Sequence, residues 1–288
     1  MYAVFGITGQ VGGQVARTLL AARQPVRAIV RNPQKAQSWS DLGCELAVAD
    51  ILDPDALAAA FRGAQGVFIL VPPVFDPAPG FPEARAIAES LRTALRTALP
   101  GRIVYLSTIG ADATQTNLLT QHTLIEDELR RLPLPITYLR AGWFMENYAW
   151  DVASVVETGL LHSFLQPLDR PIAMVATADI GSAAAQLLQT PWTGHRIVNL
   201  EGPERLSPNR VARAFAQLLG RPVAAQAVPR ETWESLFLAQ GMKNPAPRIQ
   251  MVDGFNQGWI DFNPATSRKG LTSIDTVIAQ LVNRNPNA

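Results

Sequence analysis

The feature that most constrains this chain is the run Gly6-Ile7-Thr8-Gly9-Gln10-Val11-Gly12-Gly13, which follows the apolar stretch Tyr2 to Phe5 and opens a helical stretch from Gly12 to Ala22. A sharp strand-to-helix turn needs glycine where φ is positive and where backbone must approach backbone or ligand without a Cβ between them. The helix that starts there presents free amides and the positive end of its dipole, a seat for phosphate groups. The spacing is G-x-x-G-x-x-G rather than the dehydrogenase G-x-G-x-x-G. At the head of a β-α-β unit it nevertheless points to a dinucleotide, with Gly6, Thr8, Gly9, Gln10, Val11 and Gly12 as its contacts.

The rest of the first 140 residues keeps the same rhythm. Val26 to Val30, Glu45 to Val48, Val67 to Val71 and Arg102 to Leu106 read as short strands, with helices expected at Asp53 to Phe61 and Phe81 to Leu99. Runs this apolar, without strict alternation, suit strands covered on both faces, so an α/β fold with a parallel sheet and right-handed crossovers follows. Asp53-Pro54 marks a helix start, the carboxylate capping and the proline sitting where no N–H is needed. Further strands are expected at Ile136 to Arg140, Ile172 to Ala176 and Arg196 to Leu200. Helices are expected at Asp179 to Gln189, with Asp179 as its cap, and at Pro208 to Leu219, capped by Ser207. Arg230 to Ile260 is bulky and partly helical, without strand signals, and Asn283 to Ala288 reads as a frayed tail. A small second lobe from the C-terminal half is expected.

Composition narrows the function classes. The 288 residues suffice for one large or two medium domains, and 25 Lys+Arg against 24 Asp+Glu leave a net charge of +1, which disfavours a binder of nucleic acid or of anionic membranes. The single cysteine, Cys44, cannot close an intramolecular disulfide, and His122, His162 and His195 form no metal-ligand spacing. With Met1 to Phe5 already strand-like, a leader is not expected. A cytoplasmic enzyme, monomeric or homodimeric, taking a small molecule and no metal is the expectation.

Other residues fall at the carboxyl ends of the expected strands, where open α/β sheets bind ligands. The second strand ends in Arg31, followed by Lys35, with no carboxylate for ribose hydroxyls; a guanidinium stacking on adenine and pairing with a 2′-phosphate favours NADP(H), NADPH over NADH. Solvated surface positions are the alternative for both. Asp50 and Ile51 either hold the adenine or close a turn. Val71 and Pro72, followed by Pro73, stiffen the edge where a ribose passes. Ser107 and Thr108 place hydroxyls in the crevice. Trp143, Phe144, Asn147 and Tyr148 offer a flat slot for a planar substrate, or else core that bridges the lobes.

Taken together, the glycine turn, Arg31, Ser107-Thr108, His122-x-x-x-Glu126-x-x-Leu129, Leu139-Arg-Ala-Gly-Trp-Phe-Met-Glu-Asn147, Ala178-Asp179-Ile180-Gly181 and Leu200-Glu-Gly-Pro-Glu204 resemble the NmrA-like family of atypical short-chain dehydrogenases/reductases. Within it, the chain is similar to bacterial NADPH-dependent quinone oxidoreductases. The resemblance implies a Rossmann-type doubly wound parallel sheet in residues 1–150, with later strands at about 172–200 returning to it, and a smaller α/β substrate lobe in 151–288. It implies hydride transfer from NADPH to a quinone or similar planar acceptor. A non-catalytic NADP(H)-binding redox sensor is the alternative.

One departure from the wider superfamily matters. No Tyr stands between Ser107 and Tyr138, and no Lys, so the usual Tyr-x-x-x-Lys dyad is missing from its place. The resemblance puts His122 there. A quinone accepts hydride readily, and an imidazole near its ordinary pKa of ~6.5 suffices to donate to the reduced oxygen. The alternative is that His122 bonds the cofactor ribose or caps local structure. His162 and His195 read as structural or surface residues.

Overall fold

The computed structural model describes residues 1–284. Its strands are β1 (Tyr2–Phe5), β2 (Val26–Val30), β3 (Glu45–Val48), β4 (Gly66–Leu70), β5 (Ile103–Thr108), β6 (Ile136–Ala141), β7 (Trp143–Phe144), β8 (Leu160–Ser163), β9 (Met174–Val175), β10 (His195–Glu201), β11 (Ala224–Ala227) and β12 (Arg268–Lys269). The α-helices are α1 (Gln10–Ala21), α2 (Gln37–Asp41), α3 (Pro54–Phe61), α4 (Pro82–Ala98), α5 (Thr120–Leu129), α6 (Val152–Thr158), α7 (Thr177–Gln189), α8 (Pro208–Leu219), α9 (Trp233–Ala239), α10 (Ala246–Gln257) and α11 (Ile274–Arg284).

Eight strands form one parallel sheet in the order β12-β10-β6-β5-β4-β1-β2-β3. The order turns around between β1 and β4, where successive crossovers leave the sheet on opposite sides and open a crevice at the carboxyl ends of the strands. All residues of β1 and β6 are buried, which is why β1 is apolar throughout instead of alternating and why the buried Arg140 of β6 is paired with a carboxylate. One face carries α1 and α7, with Val15, Leu19, Ile180 and Leu188 in its core. The other carries α3, α4 and α5, with Leu57, Phe61, Leu91 and Leu129. This is the doubly wound α/β architecture expected.

A third core, separate from both faces, is built from residues beyond Met145 apart from Ile109. It centres on Trp233, Phe237, Phe215 and Phe255. Two short parallel pairs accompany it, β8 with β11 and β7 with β9. The large sheet nevertheless takes β10 and β12 from this later half of the chain.

Local chemistry explains most boundaries. Asp53 accepts from the Ala56 amide at 3.0 Å ahead of Pro54, and Ser207 accepts from the Arg210 amide at 3.2 Å ahead of Pro208. α4 stops one residue short of each expected end, because Phe81 and Leu99 both take left-handed backbone. Four expectations need correction. Only Met174–Val175 of the segment 172–176 is a strand, and it pairs with Trp143–Phe144 outside the large sheet. Asp179 lies inside the first turn of α7; its carboxylate instead accepts from the Leu271 and Thr272 amides at 3.0 and 2.9 Å, holding a distant loop. β5 continues through Ser107 and Thr108, because both pair with β6. Asn283 belongs to α11, and the rest of the tail lies outside the described residues.

Candidate active site

The glycine turn sits at the carboxyl end of β1, one strand from β4. Gly6 has φ +81°, and a Cβ added at Gly12 would collide with the Gly6 carbonyl, so the turn tolerates no side chain there. α1 begins without a side-chain cap and without an acid in its first turn. Its amides are therefore left for an external anion, which fits a pyrophosphate. Thr8, Gly9 and Gln10 are exposed at the mouth of the turn, and Val11 packs inward. The Gln10 side chain accepts from the Thr177 hydroxyl at 3.1 Å, and that hydroxyl also reaches Glu146 at 2.6 Å. Burial raises the Glu146 carboxyl above its ordinary pKa, with the Thr177 hydrogen bonds pulling it back.

Arg31 and Lys35 follow β2, both exposed and without an ion-pair partner among the described residues. Two free cations one strand from the turn suit a 2′-phosphate. Asp50 closes a turn by accepting from the Leu52 amide at 2.9 Å. Ile51 faces the core under α3 and α4, so its side chain is occupied by packing.

Across the crevice lies a cavity of about 610 Å³ at the carboxyl ends of β4, β5 and β6. Val71, Pro72, Thr108, His122, Trp143, Phe144, Asn147 and Tyr148 all line it, so the structure brings the expected catalytic and substrate residues to one space with part of the expected cofactor edge. Trp143 meets Phe255 edge to face, with ring centroids 5.2 Å apart. The far wall comes from α9 and α10 through Phe237, Arg248, Met251, Val252 and Phe255. A proline-rich strap, 71–80, runs along one rim and is tied across it, because Asp76 accepts from the Lys243 and Asn244 amides, each at 2.8 Å.

The residues 2–256 match the model of the NmrA-like family. The chain belongs to the NmrA-like family. It is 29% identical over 245 residues to the NAD(P)H azoreductase of Xenophilus azovorans, covering 84% of this chain and 82% of that protein. It is 25% identical over 284 residues to quinone oxidoreductase 2 of Escherichia coli strain K12, covering 98% and 93%. Among solved structures, the NADPH complex of that E. coli enzyme superposes with a TM-score of 0.82 at 24% identity over 98% of this chain and 99% of the other. The Citrobacter sp. triphenylmethane reductase gives 0.80 at 23% identity, covering 98% and 99%.

In this NmrA-like protein, His122 differs from its sequence-based expectation in charge. Burial pushes its pKa down to about 4, against a weaker upward pull from Glu126, so at neutral pH the imidazole is uncharged and is no store of protons. Its Nδ1 lies 2.7 Å from the Tyr105 hydroxyl. That phenol is fully buried with its pKa raised by burial, and it has no other acceptor among the described residues. A buried O–H needs an acceptor, so Tyr105 donates to Nδ1 and the ring proton resides on Nε2. Nε2 has no partner among the described residues. The neutral ring thus keeps one N–H available at the cavity wall.

Ser107 is buried and donates to Glu126 at 2.6 Å, so its hydroxyl is committed beneath the crevice, and Thr108 is the strand-end hydroxyl at the cavity. Glu126 also receives Arg140 at 3.0 and 2.8 Å and Arg130 at 2.7 Å. The network anchors α5 to β5 and β6 one turn after His122, and a buried pair of this kind fixes geometry more than it adds stability. Tyr105 and the α10 wall were not singled out from sequence. Tyr105 reads as one more strand residue until the fold sets it beside a helix 17 positions on. The α10 wall has a visible signal in the spacing 248, 251, 252, 255, the i, i+3, i+4, i+7 stripe of a helix face. No helix among the described residues is long and apolar enough to cross a membrane, and no described cluster of acids, His or Cys could hold a metal.

Proposed function

We propose that this protein is an NADPH-dependent oxidoreductase that reduces a quinone or similar planar acceptor, working in the cytoplasm without the Tyr-x-x-x-Lys dyad. The observation that carries the reading is one apolar, aromatic-walled cavity opening beside an uncapped glycine turn and holding a neutral histidine with its N–H free. The chain's similarity to an NAD(P)H azoreductase and to an NADPH-dependent quinone oxidoreductase supports it. Gly6, Thr8, Gly9, Gln10, Val11 and Gly12 seat the pyrophosphate, Arg31 and Lys35 select the 2′-phosphate, and Asp50, Val71, Pro72 and the strand end at Ser107 and Thr108 border the rest of the dinucleotide. When bound, NADPH supplies the hydride.

The chain's own residues then do three things. Trp143, Phe144 and Tyr148 hold a flat ring and exclude water, with Asn147 offering its amide to one oxygen. His122 Nε2–H donates a hydrogen bond to the oxygen on which negative charge develops. Tyr105 holds the ring in the tautomer that permits this. The reduced acceptor takes its proton from solvent, because a quinol oxygen is a far weaker base than an alkoxide. Residues 1–150 with the returning strand β10 act as the nucleotide side, and most of 151–288 as the acceptor side.

The test is a titration of the purified protein with NADPH and with NADH, followed by 1,4-benzoquinone while the reduced-nicotinamide absorbance is recorded against a no-enzyme control. Preferential NADPH binding with turnover is the expected result. Binding without turnover across several quinones would replace the reductase with a sensor, and no binding would overturn the reading of the glycine turn.

A further inference from the structure

Several arginines in the later half of the chain are paired with carboxylates, Arg230 with Asp253, Arg205 with Asp261 and Glu201, and Arg210 with Asp275, while Arg221 donates to the Val155 and Val156 carbonyls. Arg248 is different. It projects from α10 into the cavity on the same helix face as Met251, Val252 and Phe255. Its guanidinium carbon lies over the Phe237 ring, 4.4 Å from the centroid. Its polar contact among the described residues is Nη1 to the Met242 sulfur at 3.7 Å, a weak acceptor. Asp151 lines the same cavity without reaching ion-pair distance. An aromatic ring therefore seats a cation whose N–H groups have only a weak sulfur acceptor in a mostly apolar space.

We propose that Arg248 receives an acidic substituent of the acceptor, so that the preferred substrates are planar aromatic quinones or related acceptors bearing a sulfonate or carboxylate. This rests on the reading of the cavity as the acceptor site. The fork of a guanidinium matches two oxygens of such a group, and the contact with Phe237 holds the guanidinium at the cavity wall. The phosphates of a dinucleotide are provided for elsewhere, at the glycine turn and Arg31, which leaves this cation for the second ligand. A cavity of about 610 Å³ has room for a multi-ring acceptor whose far end reaches α10.

Two measurements on the full chain test the proposal. The first compares kcat/KM for 1,4-naphthoquinone-2-sulfonate and 2-methyl-1,4-naphthoquinone with NADPH, in the wild type and in Arg248→Met. Taking the same ratio in both proteins cancels the intrinsic reactivity of the two quinones. The sulfonate preference should fall about tenfold in Arg248→Met and less in Arg248→Lys. The second follows quenching of tryptophan fluorescence by anthraquinone-2-sulfonate and by 2-(hydroxymethyl)anthraquinone in the presence of NADP+, and needs no turnover. An unchanged ratio in both measurements overturns the proposal and leaves the reductase reading standing. Sulfonate binding that depends on Arg248 without turnover of any quinone keeps Arg248 as the seat of an acidic aromatic ligand and overturns both the reductase reading and the substrate preference. Circular dichroism checks each variant; should Arg248→Met not fold, Arg248→Lys and Arg248→Gln carry the same comparison.

Discussion

The nucleotide edge and the acceptor cavity are made in opposite ways. The first, on the proposed reading, is local: the turn from Gly6 to Gly12 is a contiguous piece of chain whose backbone would seat the dinucleotide, with Arg31 and Lys35 exposed after the next strand. The cavity draws its walls from residues between Val71 and Phe255, gathered from the sheet edge, α5, the segment after β6, and helices α9 and α10. Backbone recognition of a constant ligand needs few residues and keeps them in register along the sequence. Side-chain recognition of a variable ligand needs surfaces from several elements, and only the fold brings them together.

The sharpest break falls on the local edge. Gly12→Ala places a methyl group against the Gly6 carbonyl, and backbone cannot yield as the tip of a side chain can. NADPH binding should be lost within the range of a fluorescence titration, with a lowered melting temperature, since overpacking of this kind costs about 1–3 kcal/mol. Arg31→Ala tests the same edge one strand away. It should weaken NADPH about 10- to 100-fold, the range of a charge-assisted hydrogen bond, and leave the NADH dissociation constant within about twofold. Equal losses for both dinucleotides would mean that Arg31 stacks on adenine and does not read the 2′-phosphate.

This contrast also sets what could be read from the chain alone. The β-α-β rhythm, the caps at Asp53 and Ser207 and the glycine turn are short-range patterns, and the structure carries them at the expected positions. Asp179 was misplaced because a carboxylate near a helix start looks like a cap whether it bonds its own helix or, as here, the loop at Leu271 and Thr272. The segment 172–176 reads as a strand of the large sheet because burial in the third core demands the same apolar residues as a sheet. The charge state of His122 was illegible for a different reason. It depends on how much protein surrounds the ring, as its tautomer depends on a phenol from β5, and neither has a local signature.

The dispersed side breaks more gently. Tyr105→Phe removes the donor that fixes the His122 tautomer without touching the cavity surface, so KM should change little while kcat falls about tenfold. The pH profile separates positioning from a packing defect. With His122 depressed to about 4, wild-type kcat/KM should show no limb from His122 between about pH 5.5 and 8, where the group that titrates in the cavity is the Asp151 carboxyl, raised by burial to about 6. Losing the bond that the neutral ring accepts favours the imidazolium, so an acid limb should move upward in Tyr105→Phe. The sign for stability is the same. Between about pH 6.5 and 4 the unfolded chain binds the His122 proton and the folded chain does not, so this contribution is intact above the upper value and is lost as pH falls through the window. In His122→Asn that part of the acid dependence of urea midpoints should disappear.

The smallest effect is expected at the strap, where the two regions meet. Asp76 joins 71–80 to the start of the α10 arm through two backbone amides, and those bonds hold its carboxyl below the ordinary carboxylate range. Asp76→Asn keeps one good acceptor and loses the charge. Because the tie is at Asp76, at the other end of the strap from Val71 and Pro72 on the nucleotide side, acceptor KM should rise about two- to threefold with little change in NADPH affinity, as befits one weakened exposed hydrogen bond. A matching loss in NADPH affinity would show that the strap positions both ligands, and the separation between a local nucleotide edge and an assembled acceptor cavity would then end at β4.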